Sequence, residues 1–159
     1  MNFFNADSRN THIVVRTGLK GFLLLDRIVE ISESRIVGIR SYAGDPIYLG
    51  LESLAQLGAF FVRHITGFSK HVFLLKIARC VFFTGQVLSG EYTFSGDLVS
   101  RSDSAFLVRL QSEKDRRKVI EGDLLFGSVE YDDFFKQETL HHHYRKVFSC
   151  LLNDSKTVC

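Results

Sequence analysis

The feature that most constrains this chain is a single long apolar helix pattern set among β-rich segments. The stretch from Gly50 to Val62 is apolar almost all the way round, yet it carries Glu52 and Gln56 one turn apart. A helix that is apolar on every side belongs inside a core, and an acid is almost never fully buried without a partner. Burial also raises the pKa of a carboxyl group toward the range useful for proton transfer. The acid in this helix therefore calls for either an ion-pair partner or a function.

The segments around the helix are rich in β-forming residues. Alternation and turn signals predict strands at residues 28–32, 35–42, 72–83, 91–100, 105–112 and 118–129, with a short further strand at 12–15. The helix is predicted over residues 49–66, and Gly67 can supply its C-cap. The charge run 113–118 is typical of a hairpin turn in solvent. Because strict βαβ alternation is missing, we expect an α+β fold in which an antiparallel sheet surrounds one central helix.

The end of the chain reads as an appended helix. Its apolar positions recur at spacings of three and four residues, which places them on one face: Tyr144, Val147, Phe148, Leu151 and Leu152. We therefore predict a single domain at 1–131 and a helical tail at 132–159. Residues 141–143 are three consecutive histidines, and consecutive side chains on a helix point in different directions. We expect no metal site there.

Composition excludes several classes of protein. The formal net charge is +2, and no basic stripe is interleaved with aromatic residues, so we expect no nucleic-acid partner. The longest apolar segment, 49–67, is interrupted by Glu52, Gln56, Arg63 and His64 and is too polar for a membrane span. The three cysteines are odd in number and lack C-x-x-C spacing, which indicates neither a disulfide framework nor a zinc site. With no signal peptide at the start of the sequence, we expect a soluble, cytoplasmic protein.

Two interpretations of the acid remain open at this point. Glu52 could pair with an arginine or accept hydrogen bonds at the start of its own helix, where negative charge is favoured. Alternatively, the N–H groups near Gly50 could polarise a carbonyl oxygen while Glu52 moves a proton. Gln56 lies four residues on and shares the face of Glu52. The 15 phenylalanines could line an apolar channel, although a phenylalanine-rich core is the simpler interpretation.

The order of segments resembles the hot-dog-fold 3-hydroxyacyl–acyl carrier protein (ACP) dehydratases. The resemblance covers roughly residues 20–130 and is carried by four segments: FLLLDRI at 22–28, GLESLAQ at 50–56, VFLL at 72–75 and VLSGE at 87–91. The start of the helix is most similar to a divergent subgroup associated with aryl-polyene-type acyl-chain synthesis. Such a resemblance implies a hot-dog fold, in which an antiparallel sheet wraps around the central helix.

The resemblance also implies an activity and a site. In that family a carboxylate on the central helix works with a histidine across a dimer interface to remove water from a 3-hydroxyacyl thioester. Glu52 matches the carboxylate, Gln56 the following amide, and the N–H groups near Gly50 would hold the thioester oxygen. An acyl tunnel would be built from phenylalanines, with Phe60, Phe61 and Phe82 as candidates. We thus expect a homodimer that acts on acyl-ACP or acyl-CoA without a cofactor.

One feature of the family pattern is missing. The stretch 41–46, where the standard enzymes carry the histidine, has none, and neither does the stretch 16–21, where members of the divergent subgroup often carry one. Two alternatives to a dehydratase therefore stay open. The chain could be a catalytically degenerate subunit that binds acyl chains or ACP, or it could be an acyl-CoA thioesterase on the same fold.

Overall fold

The computed structural model describes residues 23–153 as six strands and two helices; the strand predicted at 12–15 lies outside this range. In chain order the elements are β1 (Arg27–Ile31), β2 (Arg35–Asp45), α1 (Tyr48–Ile65), β3 (His71–Phe82), β4 (Leu88–Arg101), β5 (Ala105–Lys114), β6 (Arg117–Val129) and α2 (Gln137–Asn153). Each predicted strand in this range and both predicted helices are present. The charge run forms the β5–β6 turn, in which Asp115 and Arg116 adopt positive φ.

All six strands form one antiparallel sheet in the order β1-β2-β4-β5-β6-β3. Helix α1 packs against five of them, so the sheet curves around it. The expected α+β hot-dog architecture is confirmed. The core lies between the helix and the concave face of the sheet, where Phe61, Phe94 and Phe126 are fully buried.

Two glycines allow α1 to approach the sheet closely. A Cβ atom at Gly58 would lie 2.4 Å from the ring of Phe126 on β6. One at Gly50 would lie 2.6 Å from Ile120 on the same strand. Real Cβ atoms essentially never approach other heavy atoms this closely, so a side chain at Gly58 would have to displace the buried ring of Phe126 or the helix, whereas one at Gly50 would have to displace the end of the Ile120 side chain. The glycines thus fix the depth at which the helix lies in the curved sheet.

The convex face of the sheet carries a row of charged residues beside half-buried apolar ones such as Leu107 and Leu125. Directly opposed positions on five neighbouring strands alternate in sign, in the order Arg35, Asp97, Arg109, Asp123 and Arg79. Arg35 and Asp97 form an ion pair at 2.8 Å, and so do Arg109 and Asp123. Opposite charges across strands favour this register. The charged row thus helps to fix how the strands align.

The two edges of the sheet differ. Edge strand β1 has only five residues, and α2 packs against it. Edge strand β3 has twelve residues and exposes a row of apolar side chains, among them Leu75 at 52% and Ile77 at 40%. Long, apolar edges present unpaired backbone groups that recruit another strand. Within residues 23–153, β3 is the edge suited to pairing with another chain.

Helix α2 packs on the rest of the fold through its apolar face. It contacts β1 and, to a smaller extent, the start of β3, and it buries Leu140, Phe148 and Leu151. Where the domain ends and a tail begins stays a prediction. Cys80 is a free cysteine, whereas Cys150 on α2 is disulfide-bonded, a bond that the cysteine spacing did not predict. Neither α1 nor α2 is long and apolar enough to cross a membrane.

Candidate functional site

Glu52 lies on the one stripe of α1 that the sheet does not cover. Tyr48 is 57% exposed, Glu52 is exposed, and Ala55 and Ala59 are half-buried. These residues follow each other at spacings of three and four, so they form a continuous line along the helix. The expectation that α1 is enclosed on all sides is wrong for the single chain, because the curved sheet leaves this line open. The acid therefore faces outward, where a substrate or a second subunit can reach it.

A buried hydrogen-bonded cluster fixes the start of α1 beside Glu52. The Ser53 hydroxyl lies 2.5 Å from the Tyr42 hydroxyl on β2 and donates to the Leu24 carbonyl at 2.6 Å. Gln56 Oε1 accepts the N–H of Leu24 at 2.8 Å. Burial raises the pKa of Tyr42 to about 12, so its hydroxyl keeps its proton. Helix α1 thus binds both backbone groups of Leu24, a contact that the sequence analysis missed.

The structure gives Gln56 and Gly50 defined surroundings. The side-chain oxygen of Gln56 already accepts a hydrogen bond from the chain itself. The N–H of Gly50 donates to the Ile47 carbonyl at 3.0 Å, and that of Leu49 donates to Pro46 at 3.0 Å. Both bonds tighten the first turn of the helix. Gly50 could hold a thioester oxygen only if this turn opened, so its role in the site stays a prediction.

The three candidate tunnel phenylalanines lie in different surroundings. Phe61 is fully buried in the core. Phe60 is 5% exposed and stacks on Phe148 of α2, with ring centroids 6.1 Å apart. Phe82 ends the edge strand β3 and is 44% exposed. The single chain does not bring the three together, and a tunnel that includes Phe82 needs a partner strand against β3.

At the other end of α1 a charge is buried. Arg63 is only 5% exposed, and its guanidinium lies 3.7 Å from the ring centroid of Tyr144 on α2. It donates to the Val72 carbonyl at 2.9 Å, while its Nε is buried without a hydrogen-bond partner. Burial lowers the pKa of Arg63. A cation is costly to bury, and here a carbonyl and an aromatic face compensate for the lost water.

His71 lies in the same cluster. Its ring stacks on Phe135 with centroids 4.3 Å apart, and its Nδ1 is buried without a partner. Burial lowers the pKa of His71, and the charge of Arg63 lowers it further, whereas Asp132 acts in the opposite direction. The neutral ring is therefore the form that fits this contact between β3 and the segment that leads to α2.

No histidine lies beside Glu52 within residues 23–153. His64 is twelve residues further along the helix, or about 18 Å at the usual rise, and His71 follows α1 altogether. Glu52 and His64 therefore cannot share a proton within one chain. The described residues also contain no group of three or more histidine, cysteine, aspartate or glutamate residues that could hold a metal ion.

Comparisons with known proteins identify the class of fold. No family model and no curated protein sequence matches the chain. Among solved structures, it is similar to the dehydratase heterocomplex ApeI:P from Xenorhabdus doucetiae, at a TM-score of 0.60 and 11% identity over 72% of this chain and 86% of the other. It is also similar to a conserved protein of Pseudomonas aeruginosa, at a TM-score of 0.60 and 11% identity, over 77% of this chain and 100% of the other. A third similar structure is a hypothetical thioesterase with coenzyme A from Streptococcus pneumoniae, at a TM-score of 0.56 and 11% identity, over 65% of this chain and 85% of the other.

These similarities establish the hot-dog fold and no particular activity. Their sequence identities are too low to transfer a reaction or a substrate. The dehydratase and thioesterase names attached to them describe those proteins. What this chain does has to be argued from Glu52 and its surroundings.

Proposed function

We propose that this protein acts on acyl thioesters, as a dehydratase-like lyase for 3-hydroxyacyl groups carried on ACP or coenzyme A. The observation that carries the proposal is the exposed carboxylate of Glu52 in the second turn of the central helix, whose start is fixed by the hydrogen bonds of Ser53 and Tyr42. Similarity to a dehydratase heterocomplex on the same fold supports this choice. A lyase of this kind would act in fatty-acid synthesis or in the synthesis of related acyl chains.

In this reaction Glu52 acts as a general acid/base. A base takes the α-proton of the 3-hydroxyacyl thioester, a carbon–carbon double bond forms, and the carbon–oxygen bond to the hydroxyl breaks. An acid protonates the leaving hydroxyl, which departs as water. Glu52 supplies one of these two groups. We propose that a second subunit supplies the other.

The proposed assembly is a homodimer joined through β3. Its long apolar edge supports this assignment, since edge strands pair readily with a second copy and two-fold dimers are the commonest oligomers. Leu75→Lys would place a charge on this edge. We expect it to give a monomer by light scattering, while Val99→Lys, at a similarly exposed position on the inner strand β4, leaves the dimer intact. A monomeric parent protein would contradict the assignment.

The test of activity uses a matched pair of variants. With trans-2-enoyl and 3-hydroxyacyl thioesters as substrates, the parent should change the enoyl absorbance, and Glu52→Gln should reduce the rate by at least about 100-fold. Glu33→Gln, an exposed glutamate in the β1–β2 turn, should leave the rate unchanged. If neither direction proceeds above background, or if Glu52→Gln matches the parent, the dehydratase proposal is wrong.

Thioester hydrolysis is the second candidate. The absence of a histidine beside Glu52 within the described residues favours it, since hydrolysis can proceed with one carboxylate that activates water. Release of free thiol from an acyl-CoA, without change in enoyl absorbance, would identify this reaction. Binding of acyl-ACP without turnover of either kind would instead identify a degenerate binding subunit.

We also propose a cytoplasmic location. The support is chemical, because acyl-ACP and acyl-CoA substrates are held inside the cell. The disulfide at Cys150 points the other way, because such bonds are rare in a reducing compartment. Fractionation of cells that express the full chain distinguishes a cytoplasmic location from an oxidising compartment.

A further inference from the structure

The open stripe of α1 is closed at its far end by α2. Downstream of Glu52 the stripe continues over Ala55 and Ala59, whose side chains are single methyl groups and leave a shallow trough. At the next turn the exposure drops to 0% at Val62 and 5% at Arg63. One helix face thus changes from open to closed within one turn.

The closing element is α2, which crosses the last turns of α1. Tyr144 lies over the guanidinium of Arg63 at 3.7 Å, and its ring is 6.4 Å from that of His71 on β3. Four residues further along α2, Phe148 packs on Phe60 and on Phe68, with ring centroids 6.1 and 5.1 Å apart. On its other side α2 packs against β1. The helix therefore spans the gap between the two edges of the sheet.

The wall is held rigidly. Arg63 is fixed from below by its hydrogen bond to the Val72 carbonyl and from above by Tyr144. Phe148 is 9% exposed and contacts three rings of the domain. Well-packed aromatic side chains of this kind do not yield to a flexible chain without loss of their contacts.

The length of the open trough sets a limit on what it can hold. From Glu52 to Ala59 the helix rises about 10 Å, and the closed positions begin at about 15 Å. An extended octanoyl chain is about as long as the open part. A chain whose thioester lies at Glu52 and whose tail follows α1 would thus meet Tyr144 when it is longer than medium length.

We propose that α2 is the end wall of the acyl site and restricts this protein to short and medium acyl chains, with Tyr144 and Phe148 as the residues that set the limit. This inference rests on the proposed function, since it takes the thioester to lie at Glu52. It assigns to the appended helix a role in substrate selection. Tyr144 and Phe148 are specificity-determining residues and take no part in the chemistry.

The experiment measures binding, so that it does not depend on turnover. S-alkyl coenzyme A thioethers with butyl, octyl, dodecyl and hexadecyl chains are titrated into the full chain by calorimetry. We expect affinity to rise from butyl to octyl and to fall for the two longer chains. Tyr144→Ala and Phe148→Ala should raise the affinity for the dodecyl compound at least about tenfold relative to octyl, because steric rejection in an apolar pocket is of this size.

Two further variants sharpen the result. Tyr144→Phe retains the ring and should retain the limit, whereas Ala59→Phe fills the trough before the wall and should move the optimum toward butyl. Leu152→Ala is the control, since this residue of α2 is 41% exposed and lies two turns beyond Tyr144. Thermal melting of each variant identifies those that fail to fold. If Tyr144→Ala and Phe148→Ala both unfold, Ala59→Phe still tests whether the acyl chain lies in the trough.

Three outcomes would overturn the inference. Affinity could keep rising through hexadecyl in the parent, the profiles of Tyr144→Ala and Phe148→Ala could match the parent, or Ala59→Phe could leave the optimum unchanged. A failure of the proposed function can be told apart from a failure of this inference, because the function is tested by comparing the turnover of the parent with that of Glu52→Gln. If the protein turns over thioesters but binds all four chain lengths equally well, the proposed function holds and α2 does not limit the chain length.

Discussion

Helix α1 carries a charged residue near each end, and the fold treats the two in opposite ways. Glu52, in the second turn, faces outward on the stripe that the sheet leaves open. Arg63, three turns later, is 5% exposed under the aromatic rings of α2. The exposed Glu52 side chain can contact another molecule, whereas the buried Arg63 side chain contacts only other parts of the fold. The proposed role of Glu52 is chemical, whereas the contacts of Arg63 are structural.

The largest effect on stability should come from the buried end. Arg63→Ala leaves the Val72 carbonyl without its donor and a void under the ring of Tyr144. We expect a loss of about 2–4 kcal/mol in the free energy of unfolding, measured by urea denaturation. Arg101→Ala, at the exposed end of β4, should change it by less than about 0.5 kcal/mol. Equal effects of the two substitutions would remove the contrast between the ends of α1.

The cluster at the start of α1 should give the next largest effect. Ser53→Ala removes the donor to the Leu24 carbonyl and the partner of the Tyr42 hydroxyl, both of them buried. An unsatisfied buried polar group costs about 1–3 kcal/mol. The double variant with Tyr42→Phe should recover part of the loss, because it removes the Tyr42 hydroxyl, which in Ser53→Ala keeps only its longer hydrogen bond to the Leu49 carbonyl at 3.4 Å. Simple additivity in this double-mutant cycle would show that the two hydroxyls are not coupled.

The buried end should also respond to pH. The folded pKa of His71 lies below the ordinary value of 6.5, because the ring is buried and Arg63 is near. The folded state therefore binds fewer protons than the unfolded state, and stability should fall as the pH drops below 6.5. The groups that face His71 include Arg63 on α1, Asp132 before α2, and the rings of Tyr131, Phe135 and Tyr144.

Unfolding curves recorded between pH 8 and pH 5 test this response. His71→Phe keeps a ring to stack on Phe135 and should flatten the pH dependence. His142→Phe, at an exposed position on α2, is the matched control and should leave the slope as it is in the parent. A slope that is unchanged in His71→Phe would assign the response to other groups.

The sequence predicted the elements better than it predicted their burial. Alternation along the strands and the glycines that flank α1 placed every element from β1 to α2 within a few residues, because these signals are local. The burial of Arg63 depends on α2, which is more than seventy residues further along the chain, and no local pattern reveals such a contact. Likewise, the apolar residues around Glu52 indicated an enclosed helix, whereas the curvature of the sheet decides which stripe stays open.

The smallest effect on stability should come from the residue proposed to matter most for activity. Glu52→Gln removes a charge that is exposed in the single chain, so the free energy of unfolding should change by less than about 0.5 kcal/mol. Urea denaturation of this variant beside Glu33→Gln provides the comparison. A markedly more stable Glu52→Gln protein would mean that the fold pays to keep the acid there, as it does for residues retained for function. A markedly less stable one would give Glu52 a structural role and would favour the interpretation of a helix-end charge.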